Sequence, residues 1–124
     1  MKILSIGIFG LLGVFTRFLL DAKFSDSSTT VPLTTLYINI AGCFIAGIVA
    51  FFLLEKGPHI LTTGLLVGYC GGLTTFSGYT LQSLDLFTRG FPLKAFLYIV
   101  ISPAVGLLAA YLSFHSTAWI FSQN

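Results

Sequence analysis

Charge is the scarcest thing in this sequence. Only 8% of its 124 residues are Asp, Glu, Lys or Arg, against roughly 25% in soluble domains. With 56% hydrophobic residues and a mean hydropathy of +0.96, too few polar side chains remain to coat a soluble globule. Intrinsic disorder is excluded by the same excess of apolar residues. There are two cysteines, Cys43 and Cys70, both inside apolar runs and without metal-ligand spacing to each other or to a histidine, so neither a disulfide framework nor a zinc site is written here. They read as small apolar fillers. The six Lys and Arg residues stand singly and the net charge is +2, which leaves no basic patch for nucleic acid. No catalytic triad or phosphate loop is present, so the chain is not read as an enzyme and has no catalytic residues.

What is there is length of apolar run. A bilayer core about 30 Å thick needs about 20 apolar residues per helix. Four runs qualify: residues 3–20, 33–54, 60–86 and 93–114. They predict an all-α, multi-pass membrane protein with four transmembrane helices in one domain over residues 1–124. The first run is as long as a span, and Arg17 is badly placed for the cleavage region of a signal peptide, so it is read as a span. Charge gathers in the short connectors, and Pro32, Pro58 and Pro92 each precede a span, where a missing N–H costs least.

The third run is an odd sequence for the middle of a helix. Gly71-Gly72-Leu73-Thr74-Thr75-Phe76-Ser77 predicts a helix broken near Gly71 to Thr75, with Thr74-Thr75 starting a fresh helix. Irregular backbone at membrane depth survives only where protein or water satisfies it. Such a break presents carbonyls that favour a cation at one end and N–H groups at the other. The competing reading is packing, because Gly64, Gly68 and Gly72 form overlapping GxxxG patterns of the kind that let helices approach closely. Phe76 and Tyr79 share a helical face, with Thr75, Ser77 and Thr80 around them. Aromatic ring edges are positive and can face a small anion, although core or lipid contact is the commoner use of such rings. Asn39 is the one amide well inside a span, either an interhelical hydrogen bond or a pore-lining donor. Tyr98 and Ser102 share a face of the fourth span. Arg17 either snorkels to headgroups or attracts anions at a vestibule.

Orientation is nearly balanced. Lys2 and Lys56 on one side oppose Lys23, Arg89 and Lys94 on the other, with Arg17 near that end of the first span, and Asp21, Asp26 and Asp85 dilute the bias. The positive-inside rule therefore leaves two outcomes level: a fixed topology with the amino terminus outside, or dual topology with chains inserting both ways and pairing antiparallel. No mid-span Asp or Glu is available for the proton exchange that antiporters need.

Three motifs, one per span, carry a resemblance. Gly10-Leu11-Leu12-Gly13-Val14-Phe15-Thr16-Arg17-Phe18 looks like a G-x-x-G-A-x-x-R-[YF] opening. Thr35 to Gly47 looks like T-L-x-V-N-x-x-G-x-F-x-x-G, and Gly71 to Ser77 is G-G-x-T-T-F-S. In this order and length of chain they resemble the Fluc/CrcB family of fluoride channels. The resemblance implies an antiparallel dual-topology dimer with two pores. It also implies a structural Na⁺ on the dimer axis, held by the backbone carbonyls of Gly71 and Thr74 from each copy. The pore residues would be Asn39, Thr75, Phe76, Ser77, Tyr79, Thr80, Tyr98 and Ser102, with Arg17 at the vestibule. There are departures. Tyr79 stands where the family has a second phenylalanine, Gly78 replaces a threonine, Gln82 a glutamate, and Gly106 a hydroxyl residue. Tyr79 keeps the ring and adds an O–H, read as a further anion donor.

The expectation is a fluoride-selective channel in the cytoplasmic membrane, surrounded by lipid and paired with a second copy of itself, that lets F⁻ out passively and so lowers its toxicity. Its rivals are a small dual-topology multidrug exporter, one half of a heterodimeric fluoride channel, and a structural subunit packing through its glycines.

Overall fold

The computed structural model describes residues 1–25 and 30–123. Asp26, counted above among the charges of the first connector, lies outside them. Every regular element among the described residues is helical: α1 (Lys2–Phe24), α2 (Leu33–Lys56), α3 (Ile60–Thr63), a π-helical segment (Gly64–Cys70), α4 (Gly71–Leu73), α5 (Phe76–Thr88) and α6 (Pro92–Ser122). Four stretches are long and apolar enough to cross a membrane: Lys2–Phe24, Leu33–Lys56, Ile60–Thr88 and Pro92–Ser122. All-α architecture, four spans and an interrupted third span follow the expectation. The helices run past the predicted spans, most of all α6, whose 31 residues make a rod of about 46 Å.

Glycine decides which helices touch. A Cβ on Gly13 would strike the Tyr69 carbonyl, one on Gly68 would sit 2.6 Å from the Ile6 carbonyl, and one on Gly72 would sit 2.5 Å from the Gly10 carbonyl. These backbones are in contact, so α1 lies directly along the first half of the third span. The π-helical turns, closed by i→i+5 bonds, fall on this same face. Similarly, a Cβ on Gly47 would strike the Ala110 carbonyl and Ser113 Oγ, which fixes α2 against α6. At the far end of that pair Phe51, Phe52, Phe114 and Phe121 interlock, with centroids 5.1 to 5.9 Å apart. In a bilayer the lipid is as apolar as the helices, so close backbone approach of this kind supplies the association energy. The remaining element, α5, packs on α6 around Leu86, Ala95 and Tyr98. Ile8, Leu11, Leu12, Phe15, Phe18 and Leu19 leave the outer side of α1 exposed, as a face towards lipid or a second molecule must be.

The interruption is narrower than the sequence suggested. Gly71 keeps helical angles (φ −64°, ψ −36°). The chain leaves the helix only at Thr74 (φ −86°, ψ 149°) and Thr75 (φ −136°, ψ 122°). Gly71-Gly72 was expected to loosen the backbone. Gly72 instead packs against α1, and the two threonines make the break because their hydroxyls offer the backbone other partners.

Candidate functional site

At the break each backbone group finds its partner differently. Thr75 N–H donates to Asn39 Oδ1 at 3.0 Å, and Asn39 Nδ2 donates to the Thr75 carbonyl at 3.4 Å. One amide side chain on α2 thus clamps both backbone groups of a single residue, Thr75. Thr75 Oγ1 accepts from Gly78 N–H at 3.0 Å and pairs with Ser77 Oγ at 3.2 Å, an N-cap for α5. Thr74 N–H and Thr74 Oγ1 both donate to the Cys70 carbonyl, at 3.0 and 2.9 Å. The two readings of Asn39 therefore merge: it makes the interhelical bond, and it does so at the wall of a cleft.

These diversions free other groups. In an unbroken helix the Thr75 amide would serve the Gly71 carbonyl and the Gly78 amide the Thr74 carbonyl. Both amides are engaged by side chains instead. Among the described residues no backbone donor bridges the break to the carbonyls of Gly71 or Thr74. They end the first half of the span, where a helix carries partial negative charge. The Leu73 carbonyl at the same end accepts from Arg17 Nη1 at 3.2 Å. No cluster of His, Cys, Asp or Glu suited to a metal occurs among the described residues, so backbone oxygens are the donors on offer here. They are hard ligands suited to a hard cation. Two per chain is too few to replace a water shell.

On the other side of the break lies a cleft of about 340 Å³ lined by Asn39, Cys43, Thr74, Thr75, Phe76, Tyr79, Ser102, Pro103, Gly106 and Leu107. Five of the eight predicted pore residues meet there: Asn39, Thr75, Phe76, Tyr79 and Ser102. Phe76 is 81% exposed and stands 5.8 Å from Tyr79, centroid to centroid. Tyr79 in turn stands 5.5 Å from Tyr98. Ser77 and Thr80 lie outside the cleft lining. Thr80 Oγ1 donates to the Phe76 carbonyl of its own helix at 2.9 Å, a common resting place for a helical threonine.

Tyr98 and Arg17 belong to a polar chain behind the cleft. Arg17 pairs with Asp21 at 3.3 Å and donates to Thr35 Oγ1 at 3.3 Å. Gln82 Nε2 donates to the same Thr35 oxygen at 2.8 Å, and Tyr98 O–H donates to Gln82 Oε1 at 3.1 Å. Thr35 is 1% and Tyr98 4% exposed. This chain ties all four spans together near one end. It answers the choice between snorkelling and vestibule for Arg17 with a third arrangement, since its guanidinium reaches α2 and the end of α4. Sequence reasoning counted Gln82 a departure and passed over Thr35. Nothing local marks them as partners, because their meeting is set by the packing of α2 on α5.

The hydroxyl of Tyr79 corrects an expectation. It donates to the Ile99 carbonyl of α6 at 2.7 Å, so its proton is held by backbone and not offered to an anion. Pro103, which the sequence reading overlooked, lines the same cleft.

The sequence matches known proteins over nearly its whole length. Residues 4–114 match the family described as CrcB-like protein, Camphor Resistance (CrcB). A fluoride-specific ion channel, FluC 2, of Rhodococcus jostii is 36% identical over 118 residues, covering 95% of this chain and 100% of the relative. The fluoride-specific ion channel FluC of Francisella philomiragia is 35% identical over 122 residues, with 94% of each chain covered. That of Pectobacterium carotovorum is 36% identical over 126 residues, covering 95% of this chain and 94% of the relative.

Proposed function

The chain belongs to the CrcB family, and from that premise we propose that it is a fluoride-specific channel of the cytoplasmic membrane, not an enzyme, and that two copies in opposite orientations form the working unit. The observation that carries the reading is the cleft beside the break, where Asn39, Thr75, Phe76, Tyr79 and Ser102 converge.

Fluoride holds its water tightly, so a selective path must replace that water group by group. Ring edges of Phe76 and Tyr79 present partial positive charge, and Ser102 brings a hydroxyl. The first amides of α5, at Phe76 and Ser77, are the orphan donors of a helix start and favour an anion. Asn39 acts on the path by fixing the backbone of Thr75 on both sides of its Cα, next to where α5 begins. HF crosses lipid uncharged and dissociates inside, so a passive anion path driven by a negative interior drains F⁻ at about 2.3 kcal/mol per charge per 100 mV.

Phe76 supports pairing. A ring 81% exposed beside the cleft forms a pore wall only when something covers its other side. The near-balanced Lys and Arg counts suit a second copy inserted the opposite way. Two copies would bring the Gly71 and Thr74 carbonyls of each to a shared axis. Four oxygens could there hold a Na⁺ whose role is structural, joining the broken spans. The small multidrug exporter is not favoured, because the spans offer no mid-membrane carboxylate.

Adding two Lys to the connector of Glu55 to His59 tests the pairing. Alone, such a chain should insert one way and give no fluoride flux. Co-expressed with a chain locked the opposite way, it should recover flux. Full flux from one locked chain contradicts antiparallel pairing.

A further inference from the structure

Pro103 lies inside α6. A proline has no N–H, so the carbonyl four residues earlier loses its helical partner. That carbonyl is Ile99, and in a bilayer an orphaned carbonyl must be satisfied by a neighbour. The neighbour is Tyr79, whose hydroxyl donates to the Ile99 carbonyl at 2.7 Å from the adjoining α5. Tyr79 and Pro103 both line the cleft, and the Tyr79 ring lies next to those of Phe76 and Tyr98, tilted to them by 43° and 42°. We propose that Tyr79 is a positioning residue whose orientation in the cleft is set by Pro103: the proline opens an acceptor in α6, and the tyrosine hydroxyl, by filling it, holds the ring edge in place and ties α5 to α6.

The pair is a unit because each member has a cost without the other. Tyr79 without an acceptor would carry an unpaired hydroxyl at membrane depth, and Pro103 without a donor would leave a carbonyl bare there. Neither α5 nor α6 shows this in its own sequence, since the two residues are 24 positions apart and meet only when the helices pack.

The inference rests on the channel reading for its effect on transport, but not for the hydrogen bond itself, and a double-mutant cycle separates the two. Tyr79→Phe, Pro103→Ala and the double variant are compared with the parent in two measurements. These are thermal stability of the detergent-purified protein, and initial fluoride efflux per folded protein from liposomes. Alanine at 103 restores an N–H that serves Ile99 within α6. Tyr79→Phe should therefore lower the melting temperature by several degrees in the parent and hardly at all beside Pro103→Ala. It should also cut flux several-fold in the parent, and much less when compared with Pro103→Ala alone. Equal stability losses in both backgrounds, or none in either, overturn the coupling. Coupled stability with flux untouched by Tyr79→Phe overturns the positioning role and leaves a packing bond. A parent that passes no fluoride defeats the channel reading, and with it the positioning role in transport, while the stability cycle still decides whether Tyr79 and Pro103 are coupled.

Discussion

The two halves of the third span have opposite designs. Residues 60–73 are lined with glycine where they meet α1, and their backbone touches backbone. Residues 76–88 carry hydroxyls and rings, pack on α6, and turn Phe76 outward. The first half is held mainly by close backbone contact, while the second adds side-chain hydrogen bonds to its apolar contact with α6. The difference follows from what each must do in a solvent that rewards neither polarity nor apolar contact between helices. Close packing anchors the first half where it cannot move, and that fixed half presents the loose peptides at Thr74 and Thr75 to Asn39. The second half is then free to spend its polar groups on a cleft. The break lies at the seam, where one helix is finished by Arg17 at the Leu73 carbonyl and the next is begun by the Thr75 cap.

The sharpest way to break this comparison is to put bulk into the half held by backbone contact. Gly68→Val would drive its side chain into the Ile6 carbonyl and the Gly10 amide, which are backbone and cannot rotate away. Overpacking a well-packed core costs about 1–3 kcal/mol, and this site, walled by backbone, sits at the upper end. The expected outcome is loss of the monodisperse peak in size-exclusion chromatography, with little protein recovered. Recovery at parental yield would mean that α1 and the third span do not touch as described.

The second half should respond in the opposite sense, losing function and keeping its fold. Phe76→Ile removes a ring that makes little contact within the chain, and conserves much of its bulk. Each loss of about 1.4 kcal/mol in stabilisation of the passing anion lowers flux about tenfold, so flux should fall clearly while the protein elutes as before. Unchanged flux would take Phe76 off the ion path.

The smallest effect is expected at the seam. Thr74→Ser keeps the hydroxyl that bonds the Cys70 carbonyl and the backbone oxygens on either side. It loses one methyl group, at a cost of about 0.8 kcal/mol, so melting temperature should move only slightly and flux should remain close to parental. Collapse of the fold on this change would show that the Thr74 side chain, and not its backbone, organises the break.

How far the sequence carried depends on which kind of information each feature uses. The four spans were legible because run length against bilayer thickness is a one-dimensional quantity. The grouping of Asn39 with Phe76 came from the family resemblance, since the residues themselves said only that an amide inside a span needs a partner. The exact break was not legible. Gly71-Gly72 looked like the flexible point, but Gly72 is needed for contact with α1, and the helix gives way where threonine hydroxyls and Asn39 compete for its amides. Arg17 was ambiguous because Leu73 and Thr35 come to it through packing. Tyr79 shows the limit most clearly. A hydroxyl added to a ring reads as a free donor until Pro103, on another helix, is seen to have freed the Ile99 carbonyl. For the same reason Tyr79→Phe, harmless by sequence comparison, is expected to be costly in this chain.

The central claim is that this chain, paired only with itself, passes fluoride. The most direct measurement is ion efflux from liposomes reconstituted with the purified chain and loaded with either potassium fluoride or potassium chloride, started by a potassium ionophore. Rapid loss of fluoride with chloride retained is the predicted result. Fluoride held as firmly as in protein-free liposomes, or fluoride and chloride leaving at equal rates, would contradict it.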